Sequence, residues 1–211
     1  SQVKLFSMGV SMLRLTAAAI DRTAETERMP QMDENGKAIA PERHDIVFDH
    51  VSFAYEKKPI LRDISVTLPD RSTTAIVGPS DSGKTTLCNL VARFWDADSG
   101  SVRIGGHNVR DYTLESLMDQ ISMVFQNVYL FADTIENNIK FGCPNATHAQ
   151  VVEAAKKACC DDFISALPDG YATVIGEGGA SISGGEKQRI SIARAIIKDS
   201  PVIILDEATA N

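Results

Sequence analysis

The 211-residue sequence contains no run of about 18 consecutive apolar residues, so nothing in it is expected to span a bilayer unaided. It also lacks the basic start, apolar run and small-residue cleavage site of a signal peptide. No dense block of lysine and arginine occurs, and 21 basic against 28 acidic residues give a net charge of −7. This balance argues against nucleic acid as the main partner.

Cysteine is also scarce, and its spacing excludes most disulfide and zinc frameworks. The four cysteines are Cys88, Cys143, Cys159 and Cys160, with no C-x-x-C pair. Adjacent cysteines do not easily bridge each other, so the pattern favours reduced thiols in a cytosolic protein over a zinc site. The chain has no internal repeat, and its 44% hydrophobic content is ordinary for a domain that buries a core.

A glycine-rich loop is the most informative segment that is present. It reads Gly78-Pro79-Ser80-Asp81-Ser82-Gly83-Lys84-Thr85, which matches G-x-x-x-x-G-K-[ST]. A strand-like run at 74–77 precedes it and a helix-like run at 85–94 follows, which is the context this phosphate-binding motif requires. We expect 78–86, including Thr86, to bind a triphosphate. Lys84 would reach its β- and γ-phosphates, and the Thr85 hydroxyl would bind Mg²⁺. The alternative is that Gly78 and Gly83 are only turn glycines.

Two acidic residues near the end of the chain complement this loop. Asp206 and Glu207 follow the continuous apolar run 202–205, which is typical of a buried parallel strand. Beside a P-loop, such a pair predicts that Asp206 binds Mg²⁺ and that Glu207 is the general base for an attacking water. Without the P-loop, a solvated acidic pair at a strand end would be the better interpretation.

A second anion site is indicated at the start of a predicted helix. Ser183 is a natural N-cap, and Glu186 three residues later completes a capping box. Gly184 and Gly185 leave the helix N-terminus sterically open, so its N–H groups, the serine hydroxyl and the helix dipole all favour an anion. Capping chemistry alone would favour an ordinary helix start, but a chain with two such sites suggests one nucleotide bound from two sides.

The remaining patterns predict an α/β domain with an inserted helical part. Residues 1–29 read as one long helix and residues 30–45 as a linker. A helix docked on the surface of its own domain is the alternative for 1–29. Strands are predicted at 46–48, 51–53, 64–68 (antiparallel) and around Val102 and Ile104, and helices after the capping box at 147–150 and over 183–198.

Together these segments resemble one known family. The sequence Ser183-Gly184-Gly185-Glu186-Lys187-Gln188-Arg189 is similar to the signature of ATP-binding cassette (ABC) ATPases. The P-loop, signature and acidic strand occur in the family's order and spacing, and the resemblance covers about residues 46–211. It implies an ATPase with ATP and Mg²⁺ as cofactors. The implied fold is a RecA-like P-loop NTPase core with an antiparallel β subdomain and a helical subdomain at about 127–190.

The resemblance also implies roles for further residues. Tyr55 matches the aromatic residue that stacks on adenine. Gln126 matches the glutamine that contacts Mg²⁺ or the attacking water and senses the transport partner. Residues 183–186 are expected to contact the γ-phosphate of ATP bound to a second, identical or different, cassette.

Two segments resemble the exporter branch of the family, namely 129–139 and 173–179. The resemblance implies a membrane domain upstream in the same polypeptide. Residues 1–29 would continue its last helix, and the ATPase would lie at the cytoplasmic face of a membrane. The implied function is ATP binding and hydrolysis that drive export, and no residue indicates the substrate.

The sequence departs from the family pattern at several positions. Asp81 stands where glycine is usual, Glu186 replaces glutamine, and Ile182 replaces leucine. The family's switch histidine is not found, so we expect a C-terminally incomplete cassette that binds ATP weakly and hydrolyses it poorly. A soluble ABC ATPase with another function and a degenerate regulatory cassette are the alternatives. A P-loop kinase or GTPase is disfavoured, because neither class requires the signature sequence at 183–186.

Overall fold

The computed structural model of the chain describes residues 36–179 and 181–206, which belong to a compact unit spanning Asn35–Asn211. The predicted helix at 1–29, the first part of the linker and Glu207 lie outside the described residues. Residues 36–45 contain no helix or regular strand. Lys37 forms an isolated bridge with Tyr112, and its N–H donates to the Asp111 carbonyl at 2.8 Å.

Alternating apolar side chains build an antiparallel sheet from four strands in the order β2-β1-β3-β4. The strands are β1 (Ile46–Tyr55), β2 (Lys58–Leu68), β3 (Ser99–Ile104) and β4 (His107–Asn108). Strand β1 buries Ile46, Phe48, Val51 and Phe53, and register shifts between Phe48 and Val51 keep these side chains in the core. The predicted antiparallel strand at 64–68 forms the second half of β2 and pairs with β1.

The next elements are a parallel pair of strands and two helices. The strands are β5 (Ile121–Val124) and β8 (Val202–Leu205), and the helices are α1 (Lys84–Val91) and α2 (Leu114–Gln120). The prediction that 202–205 form a parallel strand is confirmed. The prediction that this strand is buried holds for Val202 but is wrong for Ile203 and Leu205, which are about half exposed at 51% and 53%.

The helical part follows β5 in the chain and has a core of its own. Its elements are β6 (Asp133–Thr134), α3 (Ile135–Lys140), α4 (His148–Lys157), α5 (Asp161–Ser165), β7 (Val174–Ile175) and α6 (Gly184–Lys198). Fully buried side chains such as Ile135, Val151 and Ile190 form this core. Helix α6 packs against α3, α4 and β5, so it connects the helical part to the parallel strands.

The strand predicted at 74–77 is not formed. These residues are exposed, Val77 to 91%, and no strand among the described residues pairs with them. A mostly apolar groove of about 470 Å³ separates 74–76 from β8. An apolar run becomes a strand only where a neighbouring strand satisfies its N–H and C=O groups, and across this groove the run forms no ladder with β8.

None of the helices in the described part of the chain is both long and apolar enough to cross a membrane.

Candidate nucleotide-binding site

The predicted phosphate loop lies on the surface, directly before α1. Gly78, Pro79, Ser80, Asp81 and Ser82 are all exposed, whereas Gly83 and Thr86 are buried. Gly83 is the N-cap of α1 with a φ of 90°, and a Cβ atom there would lie 2.9 Å from Leu61 and 3.1 Å from Ile60. Glycine is therefore required at this position for both backbone conformation and space. The loop thus presents its backbone at the positive end of a helix, which favours anions.

Lys84 holds a positive charge across this loop. Its Nζ donates hydrogen bonds to the carbonyl oxygens of Gly78 at 3.0 Å and Pro79 at 2.7 Å. Because the backbone fixes the ammonium group beside the exposed loop, it can meet phosphate oxygens without a large search through rotamers.

Thr85 and Asp206 come together although they lie 121 positions apart in the chain. The Thr85 hydroxyl donates to Asp206 Oδ1 at 3.0 Å. Asp206 is only 7% exposed, and its own N–H donates to the carbonyl of Val124 at 3.0 Å. Its position therefore depends on the β5–β8 pairing. Nearby Cys88 is partly buried, and burial together with the Asp206 charge raises the pKa of its thiol to about 11.

The capping box predicted at the start of α6 is confirmed. The N–H and the hydroxyl of Ser183 both donate to one carboxylate oxygen of Glu186, each at 2.7 Å. These hydrogen bonds lower the pKa of the Glu186 carboxyl, the serine hydroxyl having the larger effect. A Cβ atom at Gly184 would meet no atom within 4 Å, so the helix start is open. The polar groups of Ser183 and Glu186 close on each other rather than reach the phosphate loop.

Tyr55 ends β1 and belongs to the hairpin that packs on the phosphate loop. Phe53, two residues earlier, pairs with Leu61 on β2. The Leu61 side chain lies directly against Gly83 of the phosphate loop. The Tyr55 ring is partly buried and makes edge-to-face contacts with Phe53 at 4.8 Å and Trp95 at 5.3 Å between centroids. The hairpin that carries Tyr55 therefore contacts the phosphate loop through Ile60 and Leu61.

Gln126 and Asp206 lie at the same end of the parallel strand pair. Val124 is in register with Leu205, so Gln126 follows the end of β5 by two residues and Asp206 follows β8 by one. The side chain of Gln126 is exposed. Glu207, the expected general base, lies outside the described residues.

Comparison with known proteins agrees with this geometry. The sequence profile of the family described as ABC transporter matches residues 61–210.

The chain belongs to the ABC transporter family.

Individual relatives point to the exporter branch. The chain is 46% identical over 202 residues to an ATP-dependent lipid A-core flippase of Desulfotalea psychrophila, covering 96% of this chain and 35% of that protein. It is 50% identical over 167 residues to a protein named as a multidrug export ATP-binding/permease protein of Staphylococcus aureus, covering 78% and 29%. The chain thus spans about a third of the length of these relatives.

A solved structure of a bacterial Atm1-family ABC exporter with ATP bound is also similar. Its TM-score is 0.87 at 38% identity, and the match covers 93% of this chain and 35% of that one. The predicted P-loop NTPase α/β fold is confirmed by this match. Membership in the ABC transporter family implies that the chain binds ATP.

Two residues that contact Tyr55 or the strand just before it were not predicted from the sequence. Trp95 contacts that ring, and Asp98 accepts a hydrogen bond from the N–H of Ala54 at 2.8 Å. The sequence offers only a weak signal for them, a Phe-Trp pair just after the P-loop helix. Nothing local relates this pair to β1, which ends about 40 residues earlier.

Asp81 adopts the left-handed backbone conformation that explains why glycine is usual at its position. Its φ is 62°, and its side chain is exposed. Aspartate tolerates this conformation better than most residues. Water and salt screen an exposed carboxylate, so its repulsion of bound polyphosphate should be small.

We therefore predict that Asp81→Gly and Asp81→Asn change the dissociation constant of ATP by less than about threefold, as measured by calorimetric titration. Asp81→Ala serves as the backbone control and should lower stability by about 1 kcal/mol, because alanine is strained at positive φ. If both Gly and Asn variants bind ATP more than about tenfold tighter, the carboxylate does repel the triphosphate.

Proposed function

We propose that this chain is the ATP-binding and ATP-hydrolysing domain of an ABC exporter. The contact between Thr85 and Asp206 carries the proposal, because it joins the phosphate loop to the acidic strand end that the reaction requires. The names of the relatives support export over a soluble or purely regulatory role.

ATP would be held by groups that the described residues already present. The exposed backbone of 78–82 and the N-terminus of α1 would surround the phosphates, with the Lys84 ammonium at the β- and γ-phosphates. Tyr55 would stack on the adenine, a contact worth about 1–3 kcal/mol for a base on an aromatic ring.

The residues present also fit Mg²⁺. This ion prefers oxygen ligands and is usually held by one or two carboxylates together with substrate phosphates. The Asp206 carboxylate and the Thr85 hydroxyl offer two oxygen ligands that lie 3.0 Å apart. Gln126 lies at the same end of the β5–β8 pair. We propose that these three residues hold the ion. Bound Mg²⁺ would neutralise charge on the phosphates. Glu207, adjacent to Asp206, would accept the proton of the attacking water.

A second cassette would complete the site. The start of α6 is open, and Ser183 offers an N–H and a hydroxyl, but both are bonded to Glu186 within one chain. We propose that residues 183–186 contact the γ-phosphate of ATP on a partner cassette, with Glu186 giving up the Ser183 hydroxyl as the two cassettes close. A single chain would then bind ATP but hydrolyse it slowly.

A membrane domain would dock on an aromatic patch that we define as Tyr129, Phe131 and Phe141. All three side chains are exposed, and Phe131 contacts the other two at centroid distances of 5.6 and 4.7 Å. Arg194 lies within 6 Å of both phenylalanine rings, at 5.7 and 5.5 Å. A contiguous cluster of exposed apolar side chains is typical of an interaction surface.

The support beneath the aromatic patch is a fully bonded buried amide. The Asn138 side chain donates to the carbonyls of Phe131 and Thr134 and accepts from the Phe131 N–H and from Arg194. This network ties the Phe131 backbone to α3 and to Arg194 of α6. We propose that an intracellular helix of an exporter's membrane domain packs there, which puts the chain at the cytoplasmic face of a membrane. Residues 127–190 would be the helical subdomain, and 1–29 would continue the last membrane helix.

Phe131→Asp should therefore uncouple the two parts of the full-length protein. We expect most of the stimulation of ATP hydrolysis by transported substrate to be lost, while ATP affinity remains unchanged. Val66→Asp, at an exposed apolar position on β2, is the matched control and should keep the stimulation. Equal loss in both variants, or in neither, would contradict docking at the aromatic patch.

The ATP site is tested most simply by binding. Trp95 is the only tryptophan and contacts Tyr55, so its fluorescence should change when ATP with Mg²⁺ is added. Lys84→Ala should weaken binding by about a hundredfold, because it removes a charge-assisted contact to phosphate. A parent chain that binds no ATP would contradict the proposal.

The two-cassette arrangement is tested by mixing variants. Lys84→Ala chains retain the signature and Ser183→Ala chains retain the phosphate loop, so their mixture contains one composite site that is intact on both sides. Hydrolysis by the mixture should exceed the sum of the separate variants. Simple additivity, with the parent active, would show that one chain hydrolyses ATP alone.

A further inference from the structure

The last residues of β1 extend beyond the strand that pairs with them on one side. The pairing of β1 with β3 ends at Ser52 and Ser99, whereas β1 continues to Tyr55. On the other side, Ala54 lies opposite Pro59, which has no N–H, after a register shift. Tyr55 lies opposite Lys58 at the end of the β1–β2 ladder, so the segment that carries its ring is paired on that side only. On the β3 side, any support has to come from outside the ladder.

Asp98 supplies this support from the turn just before β3. Its N–H donates to the carbonyl of Ser52 at 3.0 Å, and its carboxylate accepts from the N–H of Ala54 at 2.8 Å. One residue thus bonds twice to the strand, on both sides of Phe53. It replaces the ladder hydrogen bonds that β3 is too short to provide.

Trp95, three residues earlier in the same turn, fixes the ring itself. It meets Tyr55 edge-to-face, with 5.3 Å between centroids and planes at 86°. Phe53, which is buried, contacts Tyr55 in the same manner at 4.8 Å and 87°. Two nearly perpendicular neighbours restrict the rotation of the Tyr55 ring. Trp95 remains half exposed.

The turn is anchored independently of Tyr55. Buried Arg93, with a φ of 53°, pairs with Asp96 at 3.3 Å and donates to the carbonyl of Tyr112 at 3.4 Å. Arg110 pairs with the same oxygen of Asp96 at 3.1 Å. The turn can therefore serve as a fixed support for the strand end.

We infer that Asp98 and Trp95 are positioning residues for the base of the nucleotide. They hold the plane of Tyr55 in place before the adenine arrives, so less conformational freedom is lost when the two rings stack. The inference rests on the proposed function, which has the adenine on Tyr55.

Electrostatics and positioning predict opposite signs for one substitution. Removal of the Asp98 carboxylate should tighten the binding of any polyphosphate if its charge alone matters, since like charges repel. If Asp98 positions Tyr55, the same change should weaken ATP binding. It should leave inorganic tripolyphosphate, which has no base, unaffected.

The test is calorimetric titration of the 211-residue chain with Mg²⁺ and either ATP or inorganic tripolyphosphate. We expect Asp98→Ala to weaken ATP binding by about three- to tenfold and to change tripolyphosphate binding by less than about twofold. Asp98→Asn keeps an oxygen that can accept the Ala54 N–H, so it should bind ATP at least as well as the parent. Trp95→Ala should resemble Asp98→Ala, and Trp95→Phe should be milder.

The Tyr55→Ala background separates positioning of the tyrosine ring from a general structural role of Asp98. In the Tyr55→Ala background, Asp98→Ala should have no further effect on ATP binding. A further loss there, or an equal loss of tripolyphosphate binding, would show a general structural role and overturn the inference. Normal ATP binding by Asp98→Ala would overturn it as well, with the proposed function intact. Failure of the parent to bind either probe would overturn both.

Discussion

The hydrogen bond between Thr85 and Asp206 joins the two parts of the sequence on which the site depends. Its ends are 121 residues apart in the chain, so its geometry depends on the β5–β8 pairing and on the position of α1. The Asp206 amide is bonded to β5, and Thr85 sits in the first turn of α1. This hydrogen bond thereby brings the phosphate loop and the acidic strand end together.

In this site, the residues that fix the geometry differ from those that would contact the nucleotide. Residues that fix the geometry are buried, such as Asp206, Thr86 and Gly83, while residues 78–82 of the loop are exposed. Burial of a carboxylate is costly unless it is hydrogen-bonded, and the Asp206 carboxylate accepts a hydrogen bond from the Thr85 hydroxyl. Such an arrangement suits catalysis, because polar groups that are already oriented need not reorganise when charge develops in the transition state.

Local chemistry was predictable from the sequence, and pairing between distant segments was not. The capping box of Ser183 and Glu186 depends on residues three apart, and the phosphate loop on eight consecutive residues. The run 74–77 has the composition of a strand but no partner among the described residues, and composition does not reveal this. The bond between Asp98 and Ala54 spans 44 positions and replaces a missing ladder bond, so no local pattern announces it.

The most direct measurement is a double-mutant cycle on Mg²⁺-dependent ATP affinity, with Thr85→Val, Asp206→Asn and the double variant. If both side chains hold one ion, either change alone removes most of the Mg²⁺-dependent affinity and the double variant loses little more. The coupling energy should then be at least about 1 kcal/mol, and it should vanish when Mg²⁺ is chelated. Additive losses, or coupling that persists without Mg²⁺, would contradict a shared metal–phosphate site.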